Sequence, residues 1–170
     1  MNTSVLRLRI VGLVGLFVCA VAAIINWPGV ARATDPFQFF SVTLSRSTFE
    51  EIDVKTHVNA HKVDIKTKGR SDVYVLQNRL PPGGHTGWHS HPGPSIVSVI
   101  SGTASLYDGD DPSCTATTVT SGGGFVDKGG GHVHILRNEG SVDLIVTVVS
   151  IVPFDVARRI DAADPGNCPF

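Results

Sequence analysis

Five of the chain's seven histidines fall in two short stretches, His85, His89 and His91 in PPGGHTGWHSHPGP and His132 and His134 in GGGHVHILRN. Near neutral pH an imidazole serves as a metal ligand, a proton donor or acceptor, or a hydrogen-bonding group. Both stretches contain His-x-His, and in an extended chain such residues share a face because side chains alternate with period two. His89 and His91 therefore point one way, in parity with Val97 and Val99. His132 and His134 also share a face, with Val133, Ile135 and Arg137 opposite. Two strands that each present an inward pair bring three or four imidazoles together, a set suited to a divalent transition metal. The bland reading of the same residues is a group of solvated loop imidazoles beside glycine-rich turns.

Other chemistries find less support. The glycine runs SGGG and KGGG lack the following Lys-Ser/Thr of a phosphate loop and read as tight turns. DGDDPS lacks the spacing and closing glutamate of a calcium loop. Ser95 has no nucleophile-elbow context, and no carboxylate pair for glycoside cleavage is identifiable. No general base stands out; Gln77, Arg79, Tyr107 and His132 are the polar residues that neighbouring strands could bring to a pocket.

The elements that must position the histidines read as strands. FFSVTLS, DVYVLQNRL, PSIVSVISG, TASLYDGD, TATTVTSGGG, HVHILRNEG and DLIVTVVSIV are β-branched runs bounded by Gly, Pro, Asn and Asp. DVKTHV adds an edge strand, and FDVARRIDAAD is the one segment that could form a short C-terminal helix. Short strands without alternating helices predict an all-β sandwich or barrel. The expected organisation is residues 1–33 as a signal peptide, or an anchor if uncleaved, 34–68 as a leading extension with an edge strand, 69–155 as the barrel and 156–170 as a tail.

The signal reading rests on Arg7 and Arg9, an unbroken apolar run from Ile10 to Ile25, and small Ala31 and Ala33 before Thr34. The run is short for a membrane span, so membrane contact is expected only through this segment if it is retained. The expected location is outside the cytoplasm, either secreted or in the cell envelope or periplasm. Residues 1–33 hold three of the 14 basic residues and none of the 15 acids, so without them eleven basic residues face 15 acids, a balance of −4. That excludes a basic nucleic-acid surface. Of the three cysteines, Cys114 and Cys168 lie outside this segment, and an even count in an exported chain predicts a disulfide between them.

The histidine stretches resemble the two motifs of the cupin superfamily. The first motif runs Gly, His-x-His, Glu, Gly, and its spacing is met by Gly83, His89, His91 and Gly102, with Ser95 where the glutamate belongs. The second runs Gly, Pro-x-Gly, His, Asn, and is met by Gly123, Gly131, His134 and Asn138, with Gly129 in place of proline. The resemblance implies a single jelly-roll β-barrel. It implies metal ligation by His89, His91 and His134, with His132, His85 and Ser95 as further ligands or outer neighbours. The ion would be Fe, Mn, Ni, Cu or Zn, since imidazole suits several of them. Gly83, Gly102, Gly123, Gly131 and Asn138 would serve backbone geometry.

The functions that follow are a metal-dependent oxygenase acting on a small organic substrate, a non-enzymatic metal or small-ligand binding module of the cell envelope, and a metal-dependent isomerase or lyase. A structural member that buries apolar faces in a homodimer is the remaining reading.

Overall fold

Apolar and polar residues alternate along the extended segments, and the tertiary structure turns that alternation into an inner and an outer face. The structure, a computed structural model, describes residues 32–170. The expected export segment lies outside the described residues, apart from Arg32 and Ala33.

The strands are β1 (Phe40–Phe49), β2 (Asp53–Val58), β3 (His61–Lys66), β4 (Ser71–Leu80), β5 (His89–Ser90), β6 (Ser95–Ser101), β7 (Thr103–Asp108), β8 (Thr117–Thr120), β9 (Gly124–Asp127), β10 (His134–Arg137), β11 (Leu144–Pro153) and β12 (Ile160–Asp161). In β11, Leu144, Val146, Val148, Ser150 and Val152 are buried while the residues between them are partly exposed. In β6, Ser95, Val97 and Val99 are buried and Ile96, Ser98 and Ile100 are exposed.

Two five-stranded sheets result, ordered β1-β4-β11-β6-β9 and β12-β5-β10-β7-β8. From β4 to β11 the pairing is nested. β4 pairs with β11, β5 with β10, β6 with β9 and β7 with β8, all antiparallel. That nesting defines a jelly roll, here with two sheets facing each other instead of closing into one barrel. Leu76, Leu80, Val97, Val99, Ala104, Leu136, Leu144, Val146 and Val148 fill the space between the sheets. A smaller cluster of Trp88, Tyr107 and Ile135 packs on the outer side with Ala162 and the cysteines.

The edge of the first sheet is β1, whose Arg46 and Thr48 donate to the fully buried Asp72 of β4. DVKTHV forms β2 and pairs with β3 alone.

The C-terminal helix expected over FDVARRIDAAD is absent. Phe154 and Asp155 make a turn, with Asp155 in the left-handed region at φ 58°, and Ile160–Asp161 form β12. Tertiary pairing overrides the local helical pattern, because the edge of β5 offers unpaired main-chain groups that β12 satisfies through Ile160–Ser90 and Asp161–His89. The Ala162 N–H continues the ladder to the Trp88 carbonyl at 2.9 Å.

Candidate metal centre

β5 and β10 are neighbours, and their register sets His134 opposite His89. His91 follows β5 by one residue, and its segment is drawn in by the Gly131 N–H, which donates to the His91 carbonyl at 3.0 Å. Behind that contact Gly129, at φ 66°, lies against Gly93 so closely that a Cβ would strike the Gly93 carbonyl. This accounts for the departure from the Pro-x-Gly pattern, since proline is held near φ −65° and cannot take the left-handed conformation.

The three side chains are buried. Ring centroids are 4.4 Å apart for His89 and His134, 4.8 Å for His89 and His91, and 5.4 Å for His91 and His134. One ring nitrogen from each lies within 4.8 Å of the others. Main-chain carbonyls set the tautomers: Nδ1 of His89 meets the Gly87 carbonyl at 2.9 Å, Nδ1 of His91 the Arg158 carbonyl at 2.6 Å, and Nδ1 of His134 the His132 carbonyl at 3.3 Å. A carbonyl only accepts, so each Nδ1 carries the proton and each Nε2 keeps its lone pair. Burial pushes all three imidazoles below their ordinary range, His91 to about 4. The set is neutral and ready to coordinate at pH 7.

The Trp88-to-His89 segment and the second motif thus define a small cleft of about 50 Å³. Phe39, Thr86, Val97, Leu106, Phe125 and Leu136 contribute walls, and Asn78, Asp127, Arg158 and Arg159 polar groups. His89, on the second strand of the nested eight, and His91, just beyond it, meet His134 on the seventh, the arrangement that the resemblance implies. The fold is that of a cupin.

The remaining predicted residues are distributed unevenly. Ser95 is buried in the cleft, but its hydroxyl lies 2.7 Å from that of Ser150. His132 stands beside the three, its ring 6.2 Å from that of His134 and its Nε2 3.3 Å from Asp110 and 3.7 Å from Asp108. His85 lies outside the cluster, tilted on Phe37 and accepting the Gly87 N–H at Nδ1. Gly83, Gly102 and Gly131 take positive φ, whereas Gly123 does not. Gly102 joins β6 to β7, and a Cβ there would meet the Asp143 carbonyl at 2.7 Å. Asn138 is buried and ties the turn before β11 by donating to the Leu80 and Val142 carbonyls, both at 2.8 Å.

Gln77, Arg79 and Tyr107 do not line the cleft. In β4 the inward residues are Leu76, Asn78 and Leu80, which leaves Gln77 and Arg79 outside, where Arg79 pairs with Asp143 at 2.6 Å. Tyr107 shares the outer face with Ile135 and donates to Glu139. Asp127, Arg158 and Arg159 occupy the cleft without a motif to announce them. For Asp127 a signal existed, its parity with Phe125 in GFVD. For the arginines there was none, because the segment after β11 has no regular period.

No family model matches the chain, and no curated protein matches it. Among solved structures, a conserved protein of unknown function from Streptococcus pyogenes aligns at 21% identity over 68% of this chain and 75% of its own, with a TM-score of 0.45. A cupin domain from Bordetella pertussis aligns at 22% identity over 60% and 93%, with a TM-score of 0.41. An oxalate oxidase aligns at 23% identity over 48% of this chain and 46% of its own, with a TM-score of 0.41, so the chain spans under half of that enzyme. The strand nesting, not these likenesses, carries the reading of the fold.

Proposed function

We propose that this cupin is an exported metal-dependent oxygenase of a small organic anion, with His89, His91 and His134 holding one divalent transition metal. The observation that supports it is the convergence of three buried imidazoles whose Nδ1 protons are each committed to a carbonyl. A histidine kept for packing alone has no need of a lone pair aimed at two others, and apolar residues would fill the same space more favourably.

The anionic character of the substrate follows from the cleft wall. Arg159 is engaged, pairing with Asp161 at 2.6 Å and donating to the Thr86 carbonyl at 2.7 Å. Arg158 is a partly buried cation beside Arg159 and Tyr74, and burial pulls its guanidinium below its usual range. A carboxylate or similar anion in the cleft would offset that cost.

When bound, a redox-active ion supplies one-electron chemistry with dioxygen, which closed-shell side chains lack. The chain's own part is to hold the imidazoles neutral, to orient the anion through Arg158, and to exclude bulk water with Phe39, Val97 and Phe125 around the cleft. The disulfide formed by Cys114 and Cys168 is compatible with export.

The test is metal content by plasma mass spectrometry on untagged, exported protein, followed by oxygen uptake with a panel of small carboxylic acids. One ion per chain in the wild type, and none in His89→Ala or His134→Ala of unchanged circular dichroism, is the expected result. Failure to bind iron, manganese, nickel, copper or zinc after reconstitution removes the proposal. Metal without oxygen uptake moves the chain to the binding-module or isomerase readings.

A further inference from the structure

Asp127 closes β9 directly opposite Ser95 in the register of β6 with β9. Its side chain is only 5% exposed. Oδ1 accepts the Gly129 N–H at 3.0 Å, while Oδ2 is buried with no hydrogen-bond partner among the described residues. A carboxylate oxygen taken out of water without a donor is costly unless a cation meets it.

The direction in which Oδ2 faces is informative. It lies 3.9 Å from Nε2 of His91, the nitrogen left with its lone pair because Nδ1 is committed to the Arg158 carbonyl. Two atoms that each sit about 2.1 Å from one ion stand no more than about 4.2 Å apart, and this pair meets that limit. Oδ1 is 3.8 Å from Nδ1 of His134, and the group that Asp127 completes within 4.8 Å as it stands is that with His132 and His134, so a place beside His89 and His91 on one ion takes a turn of its side chain.

Ser95 supplies the second half of the argument. It stands where the resembled motif carries a glutamate, and its hydroxyl is engaged with Ser150 instead of facing the histidines. Directly paired residues on neighbouring strands have Cβ atoms about 5 Å apart, so a carboxylate on β9 reaches the space that a longer one on β6 would enter. We propose that Asp127 is the carboxylate ligand of the metal held by His89, His91 and His134, relocated from β6 to the facing residue of β9. This rests on the metal reading above and specifies its fourth protein ligand. The alternative role is a positioning residue that only orients His134 through Nδ1.

Cobalt(II) added to the metal-free full chain separates these. Affinity is read by chelator competition and coordination by the visible absorption bands. Asp127→Asn keeps an acceptor for the Gly129 N–H and is expected to bind cobalt about 100-fold more weakly, with shifted bands. Adding Ser95→Glu to that variant is expected to restore affinity to within about tenfold, because β6 then delivers the carboxylate. In the wild-type background Ser95→Glu alone is expected to gain less than about tenfold, and this variant tests the idea even if Asp127→Asn does not fold.

Unchanged bands in Asp127→Asn, no rescue by Ser95→Glu, or a gain near 100-fold from Ser95→Glu alone overturns the assignment. The failures are distinguishable. A wild-type chain that takes up no cobalt sinks the metal reading itself, whereas cobalt bound equally by wild type and Asp127→Asn, and lost in His89→Ala, sinks only the role of Asp127.

Discussion

At the residue scale the site is defined by what its imidazoles do when no metal is bound. Burial is the main cause that holds His91 at about 4, below its ordinary 6.5, with the neighbouring His134 adding to the effect and the Arg158 carbonyl and Asp127 opposing it. The folded chain therefore resists a proton that the unfolded chain accepts. The stability tied to His91 is complete above about pH 6.5 and declines as pH falls to about 4. Denaturant midpoints of the metal-free protein, measured across that window, should fall steadily as pH drops; a flat profile would mean that the ring is solvated. His89 and His134 move in the same direction and steepen the decline. The two His-x-His pairs were legible because period-two alternation needs no knowledge of partners. His132 precedes β10 and still stacks beside His134, while its Nε2 also reaches toward Asp108 and Asp110.

At the element scale, two added strands matter as much as the eight that nest. β12 covers the open edge of β5 and so fixes the backbone on which His89 sits. β1 is held to β4 by Asp72, which accepts from Arg46 at 2.6 Å, Thr48 at 2.7 Å and the Asp155 N–H at 3.0 Å. The Arg46 guanidinium is the chief cause that holds the Asp72 carboxyl down at about 2. Its contribution is present above the ordinary carboxylate range and is lost as pH falls toward about 2. Asp72→Ala should release β1 and the segment after β11 together, because one carboxylate serves both. Limited proteolysis is the check: new cleavage between Phe40 and Phe49 that the wild type resists is expected, and an unchanged pattern would show that β1 is held by its ladder alone. The helix expected over FDVARRIDAAD failed for the same reason that β12 exists, since local periodicity carries no information about an unsatisfied strand edge elsewhere.

At the scale of the whole molecule the outer face of the second sheet is sealed from a distance. The Cys114–Cys168 bond closes a loop of 54 residues in sequence separation and pins the C-terminal tail over Trp88, Tyr107 and Ile135. Phe170 packs on Tyr107 with centroids 5.0 Å apart and lies under the Arg137 guanidinium at 3.8 Å. Restricting the unfolded chain by a loop of that length is worth about 4 kcal/mol in the chain-entropy description. The double substitution Cys114→Ser with Cys168→Ser should therefore lower unfolding free energy by about that amount in urea titrations. Because Trp88 adjoins His89, metal affinity in the same variant should fall as well. Full stability after the substitution would show that the tail is held by packing alone.

Alternation, turn residues and cysteine count were enough to determine an all-β chain, the longer strands β1, β4, β6, β7 and β11, the disulfide and a histidine-rich face, because each depends on neighbours in sequence; GFVD of β9 and Ile160–Asp161 of β12 escaped them. The resemblance had already implied His89, His91 and His134 as one set, whereas the Asp127 carboxylate beside them and the arginines over the cleft were decided only by tertiary structure. Strand register chooses which residues face one another across different strands, and that choice is made by the packing of two sheets, not by any local pattern.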